Sequence, residues 1–338
     1  MKPPYKISHT ILTRIASISE KIGAIKSYFL EKPSPQLRKK NKIKTIHSSL
    51  KIEGNTLTQE QITALIENKL VIGPQKDIKE VLNAIKVYDQ LALFDPFSSK
   101  SFLSAHKLLL DGLIEKPGKF RNQNVGIFQG TRVAHIAPPP GNVPSLMMDL
   151  FTYLKTKDEL TLIKSCVFHY ETEFIHPFLD GNGRMGRLWQ TVILMNEYPV
   201  FEYLPFETLI SHTQKEYYEV LSNCDKKGDS TEFIEYMLNI IDSSLGELLN
   251  QTNKLVSDIE RIEYFISIGK SEFSRKDYMS VFKNLSSATA SRDLKKGVEL
   301  NLFSRIGDKN KTLYKIASGH NRVGRPTGIA GRESLSHH

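Results

Sequence analysis

The stretch His176-Pro-Phe-Leu-Asp-Gly-Asn-Gly-Arg-Met-Gly-Arg187 gathers a histidine, an aspartate, a Gly–Asn–Gly turn and two arginines three apart into twelve residues. Pro177 moves His176 out of helical geometry and closes the helix before it. Asp180-Gly181-Asn182-Gly183 is a tight turn whose glycines let successive backbone N–H groups face one way. From Arg184 the pattern predicts a helix with Met185, Leu188, Trp189 and Val192 apolar, so Arg184 and Arg187 share one side of its first turn. Cations are misplaced there, because a helix N-terminus carries about half a positive charge and repels each of them. A bound polyanion removes the conflict, and two guanidinium forks beside a run of N–H groups suit a di- or triphosphate. Asp180 would repel such a ligand unless a divalent cation bridges them; Mg²⁺ held by one carboxylate and phosphate oxygens is the expected solution. His176 then stands where it would take a proton from an incoming hydroxyl. A His-Pro pair, an Asp-Gly-Asn-Gly turn and surface arginines each have ordinary structural explanations, but the three together at this spacing do not.

The elements that must position these residues are mostly helical. Apolar residues recur at three- and four-residue steps over 11–30, 37–53, 78–93, 100–114, 144–157, 159–174, 184–196, 213–224 and 230–255. Residues 37–53 form a basic helix with Ile43, Ile46 and Leu50 on one face, stopped by Gly54–Asn55. Thr58 and Gln61 spell a capping box for a helix ending near Asn68. The segment 120–143, with short alternating runs around Gly130 and then three prolines, reads as a hairpin and a rigid turn. Residues 256–317 read as three short helices, then strand-like runs at 300–306 and 312–316, an order that suggests a winged helix-turn-helix. The fold class expected is therefore mostly α, a helical core with a short β-hairpin flap plus a C-terminal winged helix. The expected domains are an N-terminal helical region (1–95), a catalytic core (96–240), a linker helix (241–255), the winged helix (256–317) and a polar, Gly- and Arg-rich tail (318–338) read as disordered.

Bulk properties narrow the partners. A net charge of +9 across 338 residues points to anionic ligands without saying which. The two cysteines, Cys166 and Cys224, lie in helical apolar settings and read as free thiols of a reducing compartment. The N-terminus lacks the apolar core of a signal peptide and no apolar run reaches membrane-spanning length, so a cytoplasmic protein is expected, with no membrane partner. No Cys/His cluster suggests zinc. Ser267-Ile-Gly-Lys-Ser271 hints at a phosphate loop, but Tyr264 stands where that motif needs glycine.

The twelve-residue stretch matches in full the signature of the Fic family, His-x-Phe-x-(Asp/Glu)-Gly-Asn-Gly-Arg-x-x-Arg. The upstream segments Gly118-Lys-Phe-Arg-Asn-Gln-Asn-Val-Gly-Ile127 and Ala134-His-Ile-Ala-Pro-Pro-Pro140 look like those ahead of the family's catalytic loop. The resemblance spans roughly residues 37–240. It implies a Fic-type core that transfers AMP from ATP, with Mg²⁺ or alternatively Mn²⁺, to a Tyr, Thr or Ser hydroxyl of a protein, the enzyme itself included. His176 would be the general base and Asp180 the metal ligand. Gly181, Asn182 and Gly183 would form the anion nest, with Asn182 on the α-phosphate. Arg184 and Arg187 would bind the outer phosphates, and Phe178 would be a buried anchor.

Ser49-Leu-Lys-Ile-Glu53-Gly54 carries a second misplaced charge, a glutamate at the negative end of a helix. It resembles the family's inhibitory motif in its N-terminal placement. That implies that Glu53 pairs with Arg187 while Ser49 helps hold the helix. By the same resemblance, residues 131–138 would be a flap that docks a target by strand addition, with His135 and Ile136 as contacts. Tyr218 and Asp225 would line the adenosine pocket. Other readings stay open: removal of AMP, transfer of a different phosphate-containing group, pairing into a homodimer, or a nucleotide-sensing DNA-binding regulator. In the winged helix, Arg292, Lys295 and Lys296 lie on the recognition helix and Lys309 and Lys311 on the wing, but Asp293 and Glu299 dilute that charge. A docking or dimer-forming appendage is the favoured reading there.

Overall fold

A computed structural model describes residues 3–28, 35–129, 132–254, 258–282, 285–307 and 312–317. The 318–338 tail, Lys309 and Lys311 lie outside the described residues. The chain divides into two compact units, 1–250 and 251–338.

The first unit runs α1 (His9–Tyr28), α2 (Pro35–Ile52), α3 (Gln59–Ile66), α4 (Gln75–Tyr88) and α5 (Ser99–Leu109), then a hairpin of β1 (Gly126–Gln129) and β2 (Arg132–Ile136). It continues with α6 (Val143–Leu154), α7 (Thr161–Ile175), α8 (Asn182–Glu197), α9 (Glu207–His212), α10 (Gln214–Lys227) and α11 (Thr231–Lys254). Residues 241–254 are the second half of α11. Helix α3 starts as its sequence predicts: Thr58 Oγ accepts the Gln61 N–H and the Gln61 side chain accepts the Thr58 N–H. Helix α9 was invisible to periodicity because six residues hold less than two turns.

An aromatic core fixes the helices that carry the loop. Phe102 of α5 packs against Trp189 of α8 at 5.0 Å between ring centroids, Phe178 at 5.4 Å, Phe151 of α6 at 5.7 Å and Phe168 of α7 at 5.8 Å. All five rings are buried, and Trp189 Nε1 donates to the Pro96 carbonyl at 3.1 Å. Rings of this size each remove some 150–250 Å² from water, so the α7–loop–α8 segment is anchored on both sides.

The second unit has α12 (Asp258–Ser267), β3 (Glu272–Phe273), α13 (Arg275–Val281), α14 (Ser287–Glu299), β4 (Phe303–Ile306) and β5 (Leu313–Ile316). Its sheet has the order β3-β5-β4, all antiparallel, over a core of its own that includes Ile262, Phe265, Tyr278, Leu294 and Phe303. The three helices and the β4–β5 pair follow the sequence reading; β3, two residues long, carries no readable period.

Candidate active site

Helix α7 ends on His176, whose backbone N–H still bonds the Thr172 carbonyl at 3.0 Å. Pro177 keeps His176 out of right-handed helical geometry, as the sequence predicts; the residue adopts the left-handed region, φ 50° and ψ 60°, which costs a residue with a Cβ about 1–2 kcal/mol. The surroundings hold it there. Arg121, itself buried, donates from Nε to the His176 carbonyl at 2.7 Å, from Nη1 to the Gln123 carbonyl at 2.8 Å, and from Nη2 to the carbonyls of Pro138 at 2.5 Å and Ile175 at 3.2 Å. Its backbone N–H bonds the Pro177 carbonyl at 2.9 Å.

The rest of the loop is braced from within. Asn182 Oδ1 accepts the Phe178 N–H at 2.8 Å, and Asn182 Nδ2 donates to the Phe178 carbonyl at 2.9 Å. His106 stacks on the Phe178 ring at 3.6 Å, nearly parallel. Its Nδ1 accepts the Gly118 N–H at 2.8 Å, so its proton sits on Nε2, which donates to the Asp180 carbonyl at 3.0 Å. Burial lowers the His106 pKa to about 4, which keeps this ring neutral near pH 7. Gly181 caps α8 at φ 86°, and a Cβ there would meet Leu110 Cδ2 at 2.7 Å, so two constraints select glycine.

The two arginines of α8 meet different partners. Arg184, buried, donates from Nη1 to Glu80 Oε1 at 3.1 Å and from Nη2 to Asp180 Oδ1 at 2.8 Å. Glu80 is also buried and accepts from Asn55 Nδ2 at 2.9 Å. Arg187, 0% exposed, donates from Nη2 to Glu53 Oε1 at 2.6 Å and to the Ser49 carbonyl at 3.1 Å, and from Nε to Ser49 Oγ at 3.3 Å. Its buried Nη1 makes no hydrogen bond. Three ionisable groups converge on the open face of Gly183: a Cβ there would stand 2.5 Å from Glu53 Oε1, 3.1 Å from Arg187 Nη1 and 3.3 Å from Glu173 Oε1. Burial pushes the Glu173 carboxyl up to about 7 against the pull of Arg187, and Glu53 adds to the rise. Tyr217 donates its hydroxyl to Glu173 at 3.2 Å. Glu207 of α9 is fully buried, and burial pushes its carboxyl up to about 8 against the opposing pull of its own backbone hydrogen bond and of Arg187.

Of the residues singled out from the sequence, Ser49, Glu53, Asp180, Gly181, Asn182, Gly183, Arg184 and Arg187 thus surround one site, with His176 leading into it. Asn182 spends its side-chain amide on the loop itself. Tyr218 is half-exposed beside the buried Tyr217, and Asp225 accepts from the Tyr170 hydroxyl at 2.9 Å. His135 and Ile136 lie on β2, and their side chains lie outside the described residues. Sequence reasoning assigned no role to Arg121, Glu80, His106, Glu173 or Glu207. Arg121 stood in a quoted segment, but nothing in its neighbours signals a buried cation. Among the described residues no three His, Cys, Asp or Glu side chains converge as metal ligands, and no helix is long and apolar enough to cross a membrane. Asp180, 44% exposed, fits a cation completed by phosphate oxygens better than an all-protein cage.

The Fic/DOC family model matches residues 96–194. A crystal structure of a Fic family protein from Desulfovibrio desulfuricans G20 is 38% identical and superposes with a TM-score of 0.72 over 96% of this chain and 100% of that one. Fic-1 from C. elegans (residues 134–508) shares the fold at 19% identity and a TM-score of 0.59, covering 72% of this chain and 74% of that chain. The protein adenylyltransferase Fic of Drosophila mojavensis is 27% identical over 262 residues, 73% of this chain and 49% of that protein. The chain therefore spans about half the length of the curated relatives it matches.

Proposed function

This chain belongs to the Fic family, and on that premise we propose that it transfers AMP from ATP to a hydroxyl side chain of a protein and rests in a state inhibited by Glu53. One observation carries the reading. The open face of Gly183, at the N-terminus of α8, already holds an anion, the Glu53 carboxylate, bonded to a fully buried arginine. A site that holds a carboxylate against a helix N-terminus and a guanidinium fits a phosphate by the same physics. The unpartnered Nη1 of Arg187 marks an acceptor still wanted there.

His176 takes the proton of the target hydroxyl, whose oxygen bonds to the α-phosphorus as the bond to pyrophosphate breaks. The backbone N–H groups of Gly181, Asn182 and Gly183 hold phosphate oxygens, with the Asn182 side chain keeping the nest in shape. Arg187 binds the outer phosphates once Glu53 withdraws. Arg184 is held by Glu80 and turns toward Asp180 and the same phosphates. Asp180 would hold Mg²⁺ or Mn²⁺, which supplies neutralising charge for the departing pyrophosphate. The β1–β2 hairpin offers its free edge to an extended target segment, and Tyr218 and Asp225 stand on the adenosine side.

Transfer assays with α-labelled and γ-labelled ATP on a lysate and on the enzyme itself test this. The Glu53→Gly variant should label protein from the α-phosphate far faster than the unmodified chain. Glu53→Gly/His176→Ala should lose that transfer by about a hundredfold or more. Label arriving from the γ-phosphate, or none from either, overturns the proposal.

A further inference from the structure

Most of the excess positive charge of the sequence falls outside the unit that holds the site just described. Residues 251–338 carry sixteen of the 46 lysines and arginines but nine of the 37 acidic residues, which leaves +7 there and +2 for residues 1–250. The structure also removes an objection that the sequence raised. Asp293, which seemed to dilute the charge of α14, is 1% exposed and sits in a two-point ion pair with Arg261 of α12, with the Tyr278 hydroxyl donating to it at 3.2 Å. Its charge is consumed inside the unit. Lys296, expected on the outer face, turns instead to Asp258 at 3.0 Å.

What remains outside is a basic, hydroxyl-lined strip. Ser286, which caps α14, and Ser287, Ala288, Arg292 and Lys295 along its first three turns are exposed. Arg275, the first residue of α13, reaches across to Ser291 at 3.0 Å, and Arg292 folds back to Thr289 at 3.2 Å. Two guanidinium groups thereby line the same α13–α14 face, and the acidic residue of α14 that is exposed, Glu299, stands at its far end beside Lys295. Two helices packed in sequence, the second with its N-terminal turns free of exposed acid, is the arrangement that lays a helix in the major groove and phosphates on the flanking cations and hydroxyls. The aromatic residues described in this unit are buried or partly buried in its core, so the surface lacks the stacking platforms that single strands require.

We propose that the C-terminal unit binds duplex DNA, with the first turns of α14 entering the major groove and Arg275, Arg292 and Lys295 contacting phosphates. The binding is separate from nucleotide transfer and stands or falls independently of it.

Fluorescence anisotropy of the full chain with a mixed-sequence duplex of about 20 base pairs, at about 50 mM and about 200 mM salt, tests this. A saturable, salt-weakened titration is expected. Arg275→Ala/Arg292→Ala should weaken it by roughly tenfold or more at the lower salt and flatten the log–log salt slope by about two. Lys295→Glu, at a side chain 79% exposed, should weaken it in the same direction without disturbing the fold. AMP transfer by the same substitutions in the Glu53→Gly background should be unchanged. Absence of duplex binding, variants that bind as the parent does, or displacement of the duplex by poly-glutamate as readily as by unlabelled duplex would overturn the proposal; the last result would assign the face to an acidic protein.

Discussion

The loop from His176 to Gly183 and the end of α2 sit against the same helix, yet they are held in opposite ways. Apart from the Asp180–Arg184 pair, the loop is fixed by hydrogen bonds directed at its backbone: Asn182 to both polar groups of Phe178, His106 to the Asp180 carbonyl, and Arg121 to four carbonyls. The end of α2 is held at the nest by Ser49 and one carboxylate, Glu53, which is 27% exposed. A scaffold of the first kind changes little with a ligand's charge. A contact of the second kind can be displaced by a better anion or by a partner that pulls α2. On the proposed function, withdrawal of Glu53 can therefore leave the geometry around His176 undisturbed.

The rigidity of the loop depends most on Arg121. Arg121→Ala removes the donor for four carbonyls and leaves His176 in a strained conformation without its strap. In the Glu53→Gly background, kcat for AMP transfer should fall on the order of a hundredfold with a smaller change in the KM for ATP, because the nest is braced separately. Arg121→Lys should recover little, since one ammonium cannot span the positions of a planar fork. If Arg121→Ala transfers AMP at the parent rate, the loop is rigid without its strap and the contrast with α2 fails.

The end of α2 depends on Glu53 in turn. Glu53→Gly removes both the charge and the acceptor, and a hydrogen bond between charged groups contributes about 1.5–3 kcal/mol. AMP transfer should therefore rise roughly tenfold to a hundredfold. Glu53→Gln keeps the shape and drops the charge, so its rate should fall between parent and Glu53→Gly. Inhibition by the glutamine variant equal to that of the parent would mean that packing, not charge, holds the end of α2.

How much of this was legible in advance depends on the distance over which each signal acts. The His176–Arg187 stretch could be read because its residues are local and misfit together: two cations at a helix start announce an anion. Glu53 could be read for the same reason, as an anion at the wrong end of α2. Both misfits resolve into one contact, Arg187 to Glu53, across 134 positions. Arg121, Glu80 and Glu173 could not be read this way, because each looks like an ordinary surface charge until tertiary packing buries it. The proline rule puts His176 outside the right-handed helix without saying which other conformation it takes; the Arg121 strap, from a distant part of the chain, holds the left-handed one. The same limit misplaced Asp293, whose partner Arg261 lies on another helix.

Glu173 gives the smallest expected effect and the sharpest distinction between charge and packing at the nest. It faces Arg187, Glu53, Tyr217 and Asp225, with His169 Nε2 3.8 Å away. Burial holds its carboxyl up at about 7, so it is neutral in acid and ionises as pH rises through that value. Burial also lowers His169, to about 3, which keeps that ring uncharged across the range. An ionised Glu173 would put a second carboxylate beside Gly183, where it competes with phosphate for Arg187. In the Glu53→Gly background one cause of the rise is gone, so the midpoint should move below 7. MgATP affinity should weaken roughly threefold to tenfold between about pH 5.5 and about pH 8. ATP titrates its own phosphate in this range, so the test is the difference between that profile and the one for Glu53→Gly/Glu173→Gln, which should be flatter. The linkage carries over to stability. A carboxyl raised in the folded state contributes stability that is complete below its unfolded value near 4.5 and is lost as pH rises through about 7. Melting temperatures of the parent should decline over that window more than those of Glu173→Gln. Parallel affinity profiles for the two backgrounds would show that Glu173 stays out of the nest's electrostatics, leaving Glu53 as the carboxylate that competes there.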